Sequence, residues 1–377
     1  MKAILHLTPT CNLACNYCYA AKVIDQKMSL ETAKKAVDFV FKHGENSACI
    51  SYFGGEPLLR WELIKKTTFY AEKISKETGK PVFFRMSTNG ILFDEEILKF
   101  CRKHRILFAI SLDGNQQAHD KHRITSDNQG TWKIIDKKLD LILKYNPHTV
   151  VGSVISPDTI KELPASMEYM WERGIRYLAH SPDFTNPLWT PELLDDLENS
   201  YRQMAQFYLA RSRENKFFFF TLFDEKIKYH ARGGLKPGDV CDFGVKKISV
   251  APDGNIFPCV RFVSDDSDAK KYLIGNVYNG FNPKRQRLIN KNRQPRPQCI
   301  QCDFNGRCSN YCGCTNWQTT GDILKVSPLL CAHERMLIPI ADEIGKILWQ
   351  EKNKAFLAKH YDIDENHFPL INTYDID

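Results

Sequence analysis

Three cysteines crowd the start of the chain, in the stretch Thr8-Pro9-Thr10-Cys11-Asn12-Leu13-Ala14-Cys15-Asn16-Tyr17-Cys18-Tyr19. The spacing C-x3-C-x2-C follows the apolar run Ile4 to Leu7, so the thiols fall on a loop at the end of a short strand. Thiolates are soft donors that suit zinc or iron–sulfur clusters. A structural zinc site closes with four ligands, and an iron–sulfur cube is also held by four. Three thiols on one loop would therefore fill three irons of a cube and leave the fourth open to a small molecule. The alternatives are a zinc site or three unpaired buried thiols.

A second cysteine field begins at Cys241. Gly254 and Cys259 follow, then Cys299-x2-Cys302-x5-Cys308-x3-Cys312 and finally Cys331, with Cys314 two residues beyond Cys312. Thirteen cysteines in one chain argue for metal or redox chemistry over disulfides where thiols are kept reduced. Cys49 in a strand and Cys101 on a helix read as core thiols.

The elements that must hold these groups alternate. Candidate strands are Ile4 to Leu7, Cys49 to Phe53, Val82 to Ser87, Leu107 to Leu112, Val150 to Ile155 and Arg176 to His180. Helical patterns separate them. Ser29 can cap a helix with Leu30, Ala33, Val37 and Phe41 on one face. Others run from about Leu58 to Lys76, Glu95 to Lys103, Thr131 to Lys144, Ile160 to Arg173 and Pro191 to Ser212. Strand and helix in alternation predict an α/β fold with parallel strands, a partial (β/α)6 TIM-like barrel.

Chemistry in such barrels gathers at the C-terminal ends of the strands. Gly54-Gly55-Glu56-Pro57 follows the second candidate strand, where glycines let backbone approach a ligand and Glu56 can accept from an ammonium. Ser87-Thr88-Asn89-Gly90 follows the third and Ser111-Leu112-Asp113-Gly114 the fourth, with His119-Asp120-Lys121-His122-Arg123 close behind. Each segment taken singly is an ordinary turn or a surface ion pair. His180, at a strand end, reads equally as a cavity-lining or a structural histidine. No catalytic acid or base stands out.

The cysteine loop, with an aromatic residue directly before Cys18, resembles the cluster loop of the radical S-adenosylmethionine (SAM) superfamily. The resemblance implies that Cys11, Cys15 and Cys18 hold a [4Fe-4S] cluster whose free iron binds SAM. One electron would then split the sulfonium into methionine and a 5′-deoxyadenosyl radical. It also implies that Tyr17 packs near the adenine, that Gly54, Gly55 and Glu56 bind the SAM amino group, that Ser87 and Asn89 line the SAM site, and that Ser111 and Arg123 contact the carboxylate.

The later cysteines resemble the SPASM domain, a C-terminal extension with two auxiliary iron–sulfur clusters. By that resemblance Cys241, Cys259 and Cys312 hold auxiliary cluster I, and Cys299, Cys302, Cys308 and Cys331 hold cluster II. Two departures follow. Anaerobic sulfatase maturases, which share this domain, have a further cysteine upstream where this chain has Leu235, so cluster I lacks a fourth thiolate unless Cys314 supplies it. Otherwise its fourth iron stays open to a substrate thiolate. Those enzymes also place an aspartate directly after the equivalent of Cys259 to take the substrate proton; here Val260 and then Arg261 follow, and valine cannot be a base. Asp242 and Asp265 are nearby in sequence only.

The expected organisation is residues 1–182 as the radical SAM partial barrel, 183–234 as a helical connector, 235–335 as the SPASM domain and 336–377 as a C-terminal helix and tail. Within the connector, Phe217 to Phe220 reads as a core strand. The expected function is a radical SAM peptide maturase that abstracts hydrogen from a peptide residue and forms a thioether or carbon–carbon cross-link in a ribosomally made peptide. Oxidation of cysteine or serine to formylglycine in a sulfatase is the alternative enzyme. Maturation of a peptide-derived redox cofactor, or a non-catalytic electron-transfer or zinc-bridged scaffold, are further rivals. Reduced flavodoxin or ferredoxin would supply electrons.

Composition agrees with a globular enzyme: 377 residues, 43% hydrophobic and 26% charged, with a net charge of +7. The basic residues are dispersed apart from a cluster from Lys284 to Arg296, without the aromatic interleaving of a nucleic-acid stripe. No apolar run is long enough to span a bilayer and no signal peptide is visible, so a cytoplasmic protein is expected, without membrane or nucleic-acid partners. The barrel begins almost at Met1, so no separate leader-binding domain is expected before it.

Overall fold

The computed structural model describes residues 1–20 and 26–361. Six strands, β1 (Lys2–His6), β2 (Ala48–Phe53), β3 (Val82–Thr88), β4 (Ile106–Ser111), β5 (Val150–Ile155) and β6 (Tyr177–Pro182), lie side by side in chain order and run parallel. Helices α1 (Leu30–His43), α2 (Trp61–Thr78), α3 (Glu95–Lys103), the short α4 (Gln116–Asp120), α5 (Trp132–Tyr145) and α6 (Leu163–Glu172) return the chain between them. This is the α/β partial barrel expected from the alternation. Residues Ala48 to Tyr52 of β2 are all buried, as strands covered on both faces must be.

Local chemistry explains the element ends. The Ser29 side chain accepts from Thr32 N at 3.0 Å and caps α1, whose Ala33, Val37 and Phe41 are buried. Asp94 caps α3 in the same way, accepting from Ile97 N at 2.8 Å. α2 begins at Trp61 rather than near Leu58 because Pro57–Arg60 forms a 3-10 turn, with Glu56 accepting from Leu58 N at 2.9 Å. α6 likewise starts at Leu163 after the 3-10 turn Pro157–Glu162, since Pro164 is tolerated only in a first helical turn.

The sheet extends past both ends of the barrel unit. After α7 (Pro191–Arg213), the two-residue β7 (Phe219–Phe220) joins β6 in parallel, and α8 (Thr221–Ala231) follows. At the opposite edge β8 (Lys247–Val250) pairs in parallel with β1, and β9 (Asn255–Phe257), β10 (Gly275–Asn276) and β11 (Gly280–Phe281) continue antiparallel. The cysteine-rich region thus begins as an added edge of the barrel sheet. Short α9 (Ser267–Lys270), α10 (Lys284–Asn292) and α11 (Gly313–Thr320) complete it. Cys49 and Cys101 are buried, Cys101 within the main core. No helix among the described residues is long and apolar enough to cross a membrane.

The last helices, α12 (Pro328–Gln350) and α13 (Lys354–His360), come back against α7 and α8. A fully buried carboxylate joins them. Asp224 on α8 meets Lys359 Nζ at 2.6 Å and His360 Nε2 at 3.1 Å from α13, and also receives Phe220 N at 2.6 Å and the Tyr208 hydroxyl. Removing one member of a buried ion pair leaves the other charge uncompensated, at a cost of about 3–5 kcal/mol. Asp224→Ala is expected to lower stability by that amount in chemical denaturation followed by far-UV circular dichroism, and Asp224→Ala with Lys359→Met to recover part of it.

Candidate functional site

The three-cysteine loop leaves the C-terminal end of β1 and is held by backbone from two sides. On one side Leu7 N donates to Phe53 O at 2.9 Å, Gly55 N to Thr8 O at 2.7 Å and Glu56 N to Thr10 O at 3.0 Å. The approach is so close that only glycine fits. A Cβ on Gly55 would lie 2.3 Å from Thr10 O, and one on Gly54, whose φ is +136°, would lie 2.5 Å from Thr8 O. On the other side Ala14 N donates to Ile124 O at 2.7 Å and Asn16 N to His122 O at 3.2 Å. The loop therefore sits between the end of β2 and the segment after α4.

Glu56 faces inward. It is fully buried; Oε1 accepts from Leu58 N at 2.9 Å and Thr88 Oγ1 at 2.7 Å, and Oε2 from Asn89 N at 2.8 Å. Burial raises its pKa, against the pull of these hydrogen bonds. The carboxylate thus ties the Gly54-Gly55 turn to the end of β3. Asn89 in turn donates through Nδ2 to Asn12 Oδ1 at 2.8 Å and approaches Cys11 Sγ at 3.8 Å, while Leu13 N lies 3.4 Å from the same sulfur. Burial raises the Cys11 pKa and pushes that of Cys15 to about 11, the Arg123 charge opposing the latter. A positively charged cluster in reach of these sulfurs would reverse that balance, since metals bind the deprotonated thiol.

Arg123 is buried and bidentate to Asp113, with Nε to Oδ2 and Nη2 to Oδ1 both at 3.0 Å. The Tyr17 hydroxyl donates to Asp113 as well, Val154 N reaches Asp113 Oδ1 at 3.0 Å, and the guanidinium lies 5.4 Å from the Tyr17 ring centre. Burial alone would raise the Asp113 pKa, but the charges of Arg123 and His119 hold it below the usual value. Asp113 went unassigned in the sequence although it fixes both Tyr17 and Arg123. Its partners lie on three different segments, so no local signal could have found it.

Ser87, at an exposed position of β3, and Ser111, half-buried on β4, make no side-chain hydrogen bond among the described residues. Both hydroxyls are open to a ligand at the strand ends. His180 has both ring nitrogens buried without a hydrogen-bond partner, and burial lowers its pKa to about 4.

In the second field, Cys259 Sγ lies 3.3 Å from Cys314 Sγ, which lies 3.5 Å from Cys312 Sγ. Cys241, Cys259 and Cys312 pack against the small core of Phe243, Phe257, Phe262 and Cys314. Apart from these, Cys302 N donates to Cys299 O at 3.1 Å, and Arg335 Nη2 approaches Cys302 Sγ at 3.8 Å. Burial pushes the Cys308 pKa to about 12. Among the described residues no three His, Cys, Asp or Glu side chains are arranged to hold a single metal ion. The donor set is thiol throughout, which fits iron–sulfur clusters by chemistry.

Neither acid near Cys259 in sequence is aimed at these sulfurs. Asp242 accepts from Gly244 N, Lys246 N and Lys247 N at 3.2, 3.0 and 2.8 Å, and Asp265 is an exposed partner of Lys270. Arg261 instead reaches Gln318 Oε1 at 2.7 Å and lies 4.9 Å from the ring centre of Tyr19, the residue after Cys18.

A parallel β/α partial barrel thus carries a loop of three thiols, soft donors, clamped at its strand ends. Residues 5–170 match the family model of the Radical SAM superfamily, so the chain carries a radical SAM domain, the kind that works with SAM and a [4Fe-4S] cluster. It is homologous to the cysteine-type anaerobic sulfatase-maturating enzyme of Clostridium novyi, 21% identical over 80% of this chain and 84% of that one. It is also homologous to the radical SAM cyclopropyl synthase TigE of Paramaledivibacter caminithermalis, 22% identical over 97% of this chain and 77% of that one. Among solved structures, native anSMEcpe with bound AdoMet superposes with a TM-score of 0.79 at 18% identity, covering 93% of this chain and 99% of that one. Streptococcus suis SuiB bound to precursor peptide SuiA gives 0.61 at 15% identity, covering 88% and 75%.

The glycine clamp can be tested through metal loading. Gly55→Ala must displace Thr10 and with it Cys11, so anaerobically reconstituted protein is expected to lose about four irons per chain, one cube's worth, by colorimetric iron and sulfide assay. Gly79→Ala, at a helix end with open space around it, should lose none.

Proposed function

We propose that this protein is a radical SAM peptide maturase in which Cys11, Cys15 and Cys18 hold the cluster that binds SAM. The observation that carries the reading is the double backbone clamp on the cysteine loop, which presents the three thiols at the strand ends beside the free hydroxyls of Ser87 and Ser111. When bound, the cluster and SAM supply a 5′-deoxyadenosyl radical by one-electron cleavage of the sulfonium. The chain's own work is to bind, orient and exclude water.

Tyr17 is held by Asp113 and would flank the adenine. Arg123 uses Nε and Nη2 on Asp113, which leaves Nη1 for the SAM carboxylate beside Ser111. Because Glu56 is engaged by three donors, its part in binding the SAM ammonium is chiefly to hold Gly54 and Gly55, whose backbone would accept from it. Asn89 would line the site while steadying the Cys11 end of the loop. Cys241, Cys259 and Cys312 would serve auxiliary cluster I, and Cys299, Cys302, Cys308 and Cys331 auxiliary cluster II.

A peptide substrate is supported by the relatives, since anSMEcpe has been solved with a Cp18Cys peptide and SuiB with its precursor peptide. Hydrogen abstraction from Cα or Cβ would lead to a thioether or carbon–carbon cross-link, with reduced flavodoxin or ferredoxin as electron donor in the cytosol. Formylglycine formation is the second reading, favoured by the superposition on anSMEcpe. Val260 weighs against it, because no carboxylate stands where a sulfatase maturase would need its base.

Anaerobic protein incubated with SAM and dithionite is expected to release 5′-deoxyadenosine, and Cys15→Ala to reduce that release to the level of the protein-free control by liquid chromatography. A cysteine-containing peptide encoded beside the gene should emerge two hydrogens lighter by mass spectrometry. Conversion of a sulfatase-type peptide to formylglycine instead would establish the second reading.

A further inference from the structure

Cys314 is not among the cysteines that the SPASM resemblance assigns, and its surroundings set it apart from the core thiols Cys49 and Cys101. It is only 4% exposed, yet its neighbours are sulfurs: Cys259 at 3.3 Å and Cys312 at 3.5 Å. These separations are far beyond a disulfide's roughly 2 Å and shorter than the spacing of thiolates on separate irons of a cube, so the three are free thiols brought together by the fold that cluster loading would spread apart. Cys241 packs against the same small core.

The local backbone explains the convergence. Cys312 precedes α11 and Cys314 lies in its first turn. Between them Gly313 has no room for a side chain, since a Cβ would lie 2.4 Å from Asn292 Oδ1 and 2.8 Å from the Phe243 ring. Pressing the helix start onto that wall turns Cys312 and Cys314 toward Cys259, which stands just after β9. One further feature favours thiolates here: the unpaired N–H groups of a helix's first turn favour negative charge. Leu235, where sulfatase maturases have their extra cysteine, offers no donor atom.

We infer that Cys314 is the fourth protein ligand of the first auxiliary site, so that Cys241, Cys259, Cys312 and Cys314 close an iron–sulfur cluster with no iron left open to substrate. This rests on the proposal that the region holds iron–sulfur clusters at all. It changes what the site can do. A closed cluster cannot capture a substrate cysteine thiolate; it can only exchange electrons. The substrate must then be held by the barrel, and the auxiliary site serves as the sink for the electron left after hydrogen abstraction.

The test uses the full chain with Cys11, Cys15 and Cys18 replaced by alanine, so that only the later cysteines can load. Reconstituted anaerobically, this background is expected to hold about eight irons and eight sulfides, two cubes, and its dithionite-reduced electron paramagnetic resonance spectrum should not move when L-cysteine is added. Adding Cys314→Ser should lower the iron count or shift the spectrum, and L-cysteine should then perturb it, as an incoming thiolate takes the vacated corner. Cys259→Ser should behave alike, and Cys101→Ser should resemble the background. Circular dichroism of each variant checks the fold, and the response of the background to L-cysteine decides the matter even where Cys314→Ser fails to fold. Unchanged iron and spectrum in folded Cys314→Ser, or a background spectrum that moves with L-cysteine, would overturn the inference. Zinc in place of iron, or no iron at all in the background, would instead remove the auxiliary-cluster reading beneath it.

Discussion

Backbone pressed against backbone, between Gly54-Gly55 and Thr8 to Thr10, is the constraint on which the site depends. The hydrogen bonds across this seam are each worth only about 1 kcal/mol net. Their importance is geometric. With Thr10 O at 2.3 Å from where a Gly55 Cβ would be, any side chain pushes the cysteine loop away from the strand ends. Glu56 then carries the constraint one strand further, because its buried carboxylate binds Thr88 and Asn89 at the end of β3. Three parallel strands thus share one registered rim, and Cys11 is set on it.

The opposite wall is electrostatic. Asp113 and Arg123 form a buried bidentate pair, and such pairs gain little net stability after desolvation. What the pair does here is orient. It holds the Tyr17 ring between Cys15 and Cys18 in sequence, and it turns one guanidinium edge inward while the other stays available. An isosteric apolar replacement that preserved stability would lose that orientation. The site therefore combines one wall that tolerates no added atoms with another that tolerates no lost charge.

Much of this was legible in the sequence because its signals are local. Ser29, the C-x3-C-x2-C loop and the glycine pair each act through neighbours within a few residues, and six strands with their intervening helices follow from periodicity. Helix starts were misplaced where a 3-10 turn intervened, at Pro57 and Pro157, since apolar spacing cannot separate a tight turn from the first turn of an α-helix. The direction of Glu56 was not legible at all. A carboxylate after two glycines can face a ligand or the interior, and the choice is made by Thr88 and Asn89, more than thirty residues away. Asp113 and the pairing of β8 with β1 share that cause: they are long-range contacts with no sequence period.

The pairing of β8 with β1 has a further consequence for the two cysteine fields. Because the strands are parallel, both point toward the same rim, and antiparallel β9 then runs back along β8 to Cys259. Two residues past that cysteine, Arg261 lies over the ring of Tyr19, which directly follows Cys18. Among the described residues, a cation–aromatic contact thereby joins the N-terminal loop to the second thiol field. Such a contact is worth about 0.5–1 kcal/mol when exposed and more when dry, which is modest for stability. An aspartate after Cys259 would place a base there; Val260 followed by Arg261 places instead a cation that is engaged by Gln318 and the Tyr19 ring.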